Sequence, residues 1–295
     1  MSSLWQKLKS SALLAGVLDI RNVLKGRGYR TVAVPRMRNM IWDIMDEARR
    51  KNTMHLSFDA DAVGMNVQIA KYSAALGAPV SITTYLTKVL ADTVADDTSM
   101  QAYLSSRKKF ILFDDVDVSV MIERKVDGAR LPVPFVLRRA NQKSLVEIDA
   151  ALKQAKRKPL HVGSGPVSAL ESQFFSLPRF IRKFFWFFIR RDPRLFKEIA
   201  GTVALTSLPW HVDGRGIGWG ISPMTLTLVV GATSKQVKLV DGLAVEHEVL
   251  QLHIEADHDV IDAAPMARFV VRFKARLVGG LGEVPLPNPA AASNA

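Results

Sequence analysis

Apolar and polar residues alternate from Val249 to Ala256, with Leu250, Leu252, Ile254 and Ala256 on one face and Gln251, His253 and Glu255 on the other. That is the pattern of a half-buried strand. It ends at His258. Downstream, Met266, Phe269, Val270, Phe273 and Leu277 recur every three or four residues with Arg268, Arg272, Lys274 and Arg276 between them, so an amphipathic helix docks on a core here. Asp262 stands at its N-cap and Pro265 in its first turn, where a missing N–H costs nothing. A histidine thus sits at a strand-to-helix junction with a carboxylate four residues on. From the residues alone, Asp262 is either a cap only or part of a site.

Helical periodicity recurs between Leu177 and Lys197, where Arg179, Arg182, Lys183 and Arg190 fall on one side and Phe180, Phe184 and Phe188 on another. This is the composition of a helix lying in a membrane interface. Its uncharged run, Phe184 to Ile189, is far short of the roughly twenty residues that span a bilayer. Two readings stay open: contact of 177–197 with an anionic membrane surface, or burial against another subunit. Leu13, Leu14, Val17, Leu18, Val23 and Leu24 suggest an amphipathic arm over 1–31 that packs on the core or on a neighbour. Its short apolar stretch, with no small-x-small site after it, fits a signal peptide poorly. Residues 281–295, rich in proline and alanine, read as a disordered tail, which leaves 32–280 as one domain.

Composition narrows the chemistry. The chain has 295 residues, 48% of them hydrophobic, enough for one large core. It has no cysteine, which excludes disulfides, thiolate-metal sites and a cysteine nucleophile and fits a reducing, cytoplasmic setting. The six histidines show no ligand-like spacing, so no metal is expected. The glycine run 214–220 lacks both the dinucleotide and the P-loop pattern and reads as a loop between strands. A net charge of +12 suits coenzyme A phosphates, an anionic membrane surface or nucleic acid. Nucleic acid ranks last, because no recognised motif accompanies the charge.

Several blocks, in order along the chain, resemble the catalytic domain of the 2-oxoacid dehydrogenase dihydrolipoyl acyltransferases, a family that shares its fold with chloramphenicol acetyltransferase. Val34 to Ile41 is similar to its first block, with Arg38 at the arginine, and Met54 to Asp61 to its first strand. Val133 to Leu145 resembles the family's Pro-Val-Ile-Arg-x-Ala-x-x-Lys-Ser-Leu block. Gly201 to Leu208 and Ile221 to Gly231 resemble two later strands, and Asp257 to Pro265 its His-x-x-x-Asp-Gly signature, with Asp259 where an arginine is usual.

The resemblance implies an α/β (α+β) chloramphenicol acetyltransferase-like fold, a mixed sheet flanked by helices, and transfer of an acyl group between acyl-CoA and a thiol, hydroxyl or amine. In that chemistry a histidine accepts the nucleophile's proton and a fixed donor meets the oxyanion. The resemblance assigns those roles to His258 and Thr206. It expects Asp262 to pair with Arg38 and so hold the loop that aims the imidazole. It also implies a homotrimer, or a multiple of one, in which the histidine of one subunit faces the hydroxyl of its neighbour. No lipoyl-lysine arm is expected in this chain, so the acceptor is either a lipoylated partner or another molecule. The alternative is a non-catalytic scaffold of the same fold, at a membrane surface or free of one.

Overall fold

The computed structural model describes residues 31, 34, 38–106, 108–126, 129–157, 174, 177–207 and 216–281. The expected arm and tail lie outside these residues, except for Thr31 and Leu281. Six strands form one sheet: β1 (Thr53–Asp61), β8 (Leu243–Asp257), β7 (Leu226–Val240), β6 (Val203–Ser207), β4 (Val118–Val126) and β5 (Ala129–Leu137), side by side in that order. Strand β6 runs parallel to both of its neighbours and the other pairings are antiparallel, so the sheet is mixed as expected. A small hairpin, β2 (Tyr103–Ser106) with β3 (Lys109–Ile111), stands apart from it.

Because side chains alternate across a strand, the sheet has two distinct faces. One carries Val118, Val120, Leu205, Leu228, Leu252 and Ile254, all buried. Packed in the same core are helices α2 (Ala62–Leu76), α3 (Ile82–Ala95), α4 (Leu145–Arg157) and α7 (Ala263–Gly279). The expected docking residues of α7 (Met266, Phe269, Val270, Phe273 and Leu277) are all in that core. On the other face, a cavity is lined by sheet residues together with α1 (Arg38–Ala48), α5 (Arg179–Arg191) and α6 (Pro193–Ala200).

The block Val133 to Leu145 is a joint that presents β6. The Arg138 guanidinium donates to the buried Asp117 carboxylate (2.9 Å) and to the carbonyls of Lys197 and Glu198. The Asp117 carbonyl in turn accepts from the amides of Thr202 (2.8 Å) and Val203 (3.2 Å) at the start of β6. Ser144 and Glu147 then close a reciprocal capping box that starts α4.

Strands β7 and β8 are joined by an Asp241-Gly242 turn with both residues at positive φ, 51° and 81°, the geometry of a tight hairpin. Their register shifts between Val230 and Thr233. Gly231 lies at this bulge, where an added Cβ would stand 2.7 Å from the carbonyl oxygen of Gly216. That close approach lets Gly216 accept from the Ala232 amide (2.9 Å) and ties the glycine loop to the sheet.

Candidate active site

His258 occupies a fixed corner. Its amide donates to the carbonyl of Asn52 (2.8 Å), and the carbonyl of Asp257 accepts from the amides of Val260 (3.0 Å) and Ile261 (2.9 Å). The buried Asp257 carboxylate takes a 2.6 Å ion pair from Lys51. The imidazole projects outward with its side chain 51% exposed, and Asp262 Oδ1 stands 3.6 Å from its Nδ1. Asp262 is at the N-cap of α7 as expected, yet its side chain caps no amide. Asp259 instead accepts from the Asn52 side-chain amide (2.9 Å).

Among the described residues no ion pair joins Asp262 to Arg38; the Asp262 side chain is 82% exposed. The reason is the direction of α1. It is the segment after its C-terminus, Lys51 and Asn52, that meets the His258 corner, and Arg38 opens the helix, about 15 Å away at 1.5 Å per residue. The pair that holds this loop within one chain is Lys51–Asp257.

Thr206 is half-buried in β6 and lines the cavity. It lies level with Val229 on β7, which in turn pairs with His253 on β8. His258 is five positions beyond His253, so it stands roughly 15 Å or more from Thr206 along the sheet. One copy of the chain does not bring the two together.

The cavity measures about 550 Å³. Its helical walls are apolar, and its floor is the sheet, where Ser119, Thr206, Thr227 and Glu255 supply polar groups. The Thr227 hydroxyl donates to Ser222 Oγ (2.7 Å). Glu255 accepts from the Gly220 amide (2.8 Å), an approach that glycine permits, since a Cβ there would lie 3.2 Å from the carboxylate. Burial raises the Glu255 pKa, although the Gly220 bond opposes the shift.

Beside Glu255 lies a cluster that sequence reasoning missed. The polar face of β8 was expected to meet solvent, but His253 and Glu255 are buried. His253 Nδ1 is 2.8 Å from Ser57 Oγ, and its Nε2 is 3.0 Å from His55 Nδ1. Trp219 stacks on both rings, with interplanar angles of 13° and 16°. Burial, with His55 nearby, lowers the His253 pKa to about 4, so the ring is neutral at neutral pH. The histidines are therefore not all scattered. His55, His253 and Glu255 bring one ligand atom each within 4.8 Å of the others. Both His253 nitrogens already have hydrogen-bond partners, so the cluster is satisfied without an ion. The only clue in the sequence is His-x-Ser on one strand and His-x-Glu on another, which meet once the register is known.

Helix α5 is tied to α1 by three of its arginines, of which Arg182 is buried. Arg182 pairs with Asp43 (2.7 Å), Arg190 with Glu47 (2.6 Å) and Arg179 with Asp46 (2.8 Å), all acids of α1. Phe185, Trp186 and Ile189 line the cavity, while Phe180 and Phe184 are 74% and 61% exposed.

This mixed sheet with its flanking helices is the fold of an acyltransferase core. A probable dihydrolipoamide acetyltransferase from Listeria monocytogenes 4b F2365 superposes with a TM-score of 0.62 at 15% identity, over 88% of this chain and 99% of that one. The dihydrolipoamide acetyltransferase of Azotobacter vinelandii gives 0.62 at 18% identity, over 87% and 94%. The cubic core of a pyruvate dehydrogenase multienzyme complex gives 0.59 at 17% identity, over 86% and 93%. No curated protein matches in sequence. Residues 26–161 match the family described as 2-oxoacid dehydrogenases acyltransferase (catalytic domain). Arg38 and the Val133 to Leu145 block lie inside the matched stretch. Thr206 and His258 lie beyond it.

Proposed function

We propose that residues 32–280 form a CoA-dependent acyltransferase whose site is shared between copies of the chain, His258 of one copy facing Thr206 of the next in a homotrimer or a multiple of one. The observation that carries this reading is the separation of a rigid, outward-facing imidazole from a hydroxyl that lines an apolar cavity. Each half is built, and neither finds its complement within the chain. In the Azotobacter protein, a serine, a histidine and an asparagine were investigated for roles in the catalytic mechanism; they stand in the order, and at the separations, of Thr206, His258 and Asp262.

In the reaction, His258 takes the proton from a thiol, hydroxyl or amine as that group attacks the thioester carbonyl. The Thr206 hydroxyl donates to the oxyanion so formed. Collapse expels the CoA thiolate, which recovers the proton from His258. Asp262, with Oδ1 3.6 Å from Nδ1, stands where it can orient the imidazole. Arg38 takes no part in this proposal. The acceptor is a small molecule or a lipoylated partner.

Thr206→Val keeps the shape and removes the hydroxyl, so kcat should fall about 10²- to 10³-fold while Thr206→Ser stays close to the parent. Acyl-CoA turnover followed by release of free CoA measures this. Equal rates in all three proteins would remove Thr206 from the chemistry.

A second reading concerns where the enzyme works, and the outward phenylalanines of α5 favour it. Among the described residues no helix is long and apolar enough to cross a membrane. The exposed Phe180, Phe184 and Phe188, flanked by Lys183 and Arg191, suit a helix lying on an anionic membrane surface. Since Arg179, Arg182 and Arg190 are paired with α1, most of the binding energy would come from the rings. Co-sedimentation with anionic vesicles should therefore persist at raised salt and disappear in a Phe184→Ser/Phe188→Ser double variant; no sedimentation of the parent would contradict this reading.

A further inference from the structure

The acyl group itself is legible in the cavity. An acetyl group has no use for about 550 Å³ of space closed by Met40 and Ile44 of α1, Phe185 and Ile189 of α5, and Met121 of β4. The polar groups on its floor are few. Ser222 and Thr227 bond each other, and Glu255 is held by Gly220 with burial favouring its neutral acid. Thr206 and Ser119 remain as hydroxyls on the cavity lining with no side-chain hydrogen bond among those found in the described residues. A ligand here would put its carbonyl oxygen against a hydroxyl and most of the rest against hydrocarbon.

We infer that this cavity holds a long aliphatic acyl chain, so that the preferred donors are acyl-CoAs of roughly a dozen carbons or more. The inference rests on the proposed function, because it assumes that the thioester carbonyl lies at Thr206. The space sets the length. If each methylene takes about the volume of a water molecule, near 30 Å³, the cavity accommodates a chain of that order. Each methylene moved from water into such walls tightens binding roughly fourfold. Affinity should therefore climb with chain length and then level off once the cavity is full.

Helix α5 is what makes the cavity deep. It supplies three wall residues and is pinned to α1 by the Arg182–Asp43 and Arg190–Glu47 pairs. Ala200, at the end of α6, also lines the cavity, and a larger side chain there would occupy the space the chain needs.

The test is a chain-length series, from acetyl-CoA to palmitoyl-CoA, read as displacement of a fluorescent fatty-acyl probe and, separately, as turnover. Binding should tighten roughly fifteenfold for every two carbons added and level off at the long end. Ala200→Phe, and independently Ile44→Phe, should move the plateau to shorter chains. His258→Ala should keep the full binding profile, because that residue is not in the cavity. Affinity that does not vary with chain length, or a profile that neither filling variant alters, would overturn the inference. If acetyl-CoA alone is turned over and length has no effect on binding, the cavity assignment fails while the proposed function stands. If long chains bind with the expected profile and no acyl-CoA is turned over, the cavity assignment stands and the catalytic one fails.

Discussion

Replacing His258 by alanine is expected to lower acyl transfer about 10²- to 10⁴-fold, the usual worth of a positioned general base. The loss should appear in kcat, since the imidazole acts on the proton that moves and not on the acyl chain. Stability should hardly change. The side chain is half exposed, and the corner beneath it is held by the Asn52 carbonyl and the Lys51–Asp257 pair, neither of which involves the ring. A surface change of this kind shifts stability by about 0.5 kcal/mol or less. Wild-type rates in a variant that melts like its parent would remove His258 from the mechanism.

The largest effect on folding is expected at Arg182. Its guanidinium and the Asp43 carboxylate are 4% and 3% exposed and 2.7 Å apart, and the same group also donates to the carbonyl of Leu177. Arg182→Met strands a carboxylate in the interior, which costs about 3–5 kcal/mol in denaturant unfolding. Because the desolvation of two charges offsets their attraction, the double change Arg182→Met/Asp43→Leu should recover most of that loss. A single variant within 1 kcal/mol of the parent would mean that α5 is not anchored this way.

These two residues also mark what the sequence could reveal. The strand-to-helix junction at His258 was legible because alternation gives way to a three- and four-residue period over a short stretch, and local periodicity is what a sequence records best. The two faces of α5 were legible for the same reason. Which face turns inward was not. Phe180 and Phe184 out with Arg182 in runs against the hydrophobic rule, and it follows only from the acids of α1, Asp43, Asp46 and Glu47, whose partners lie more than a hundred residues away. The burial of His253 and Glu255 was hidden likewise. Alternation marks a polar face without saying what covers it, and the cover is Trp219 and Gly220 from a loop with no period of its own. Arg38 shows a third limit. A resemblance supplies a partner for Asp262, but only the direction of α1 decides which residue reaches the His258 corner.

Co-expression of the His258→Ala and Thr206→Val chains, purified as mixed assemblies, tests the shared site most directly. Each homogeneous variant should be nearly inactive. Random mixing leaves about a quarter of the subunit boundaries with both an intact imidazole and an intact hydroxyl, so activity should return to roughly that fraction of wild type. Mixed assemblies that stay as inactive as either parent would contradict a site built from two copies of the chain.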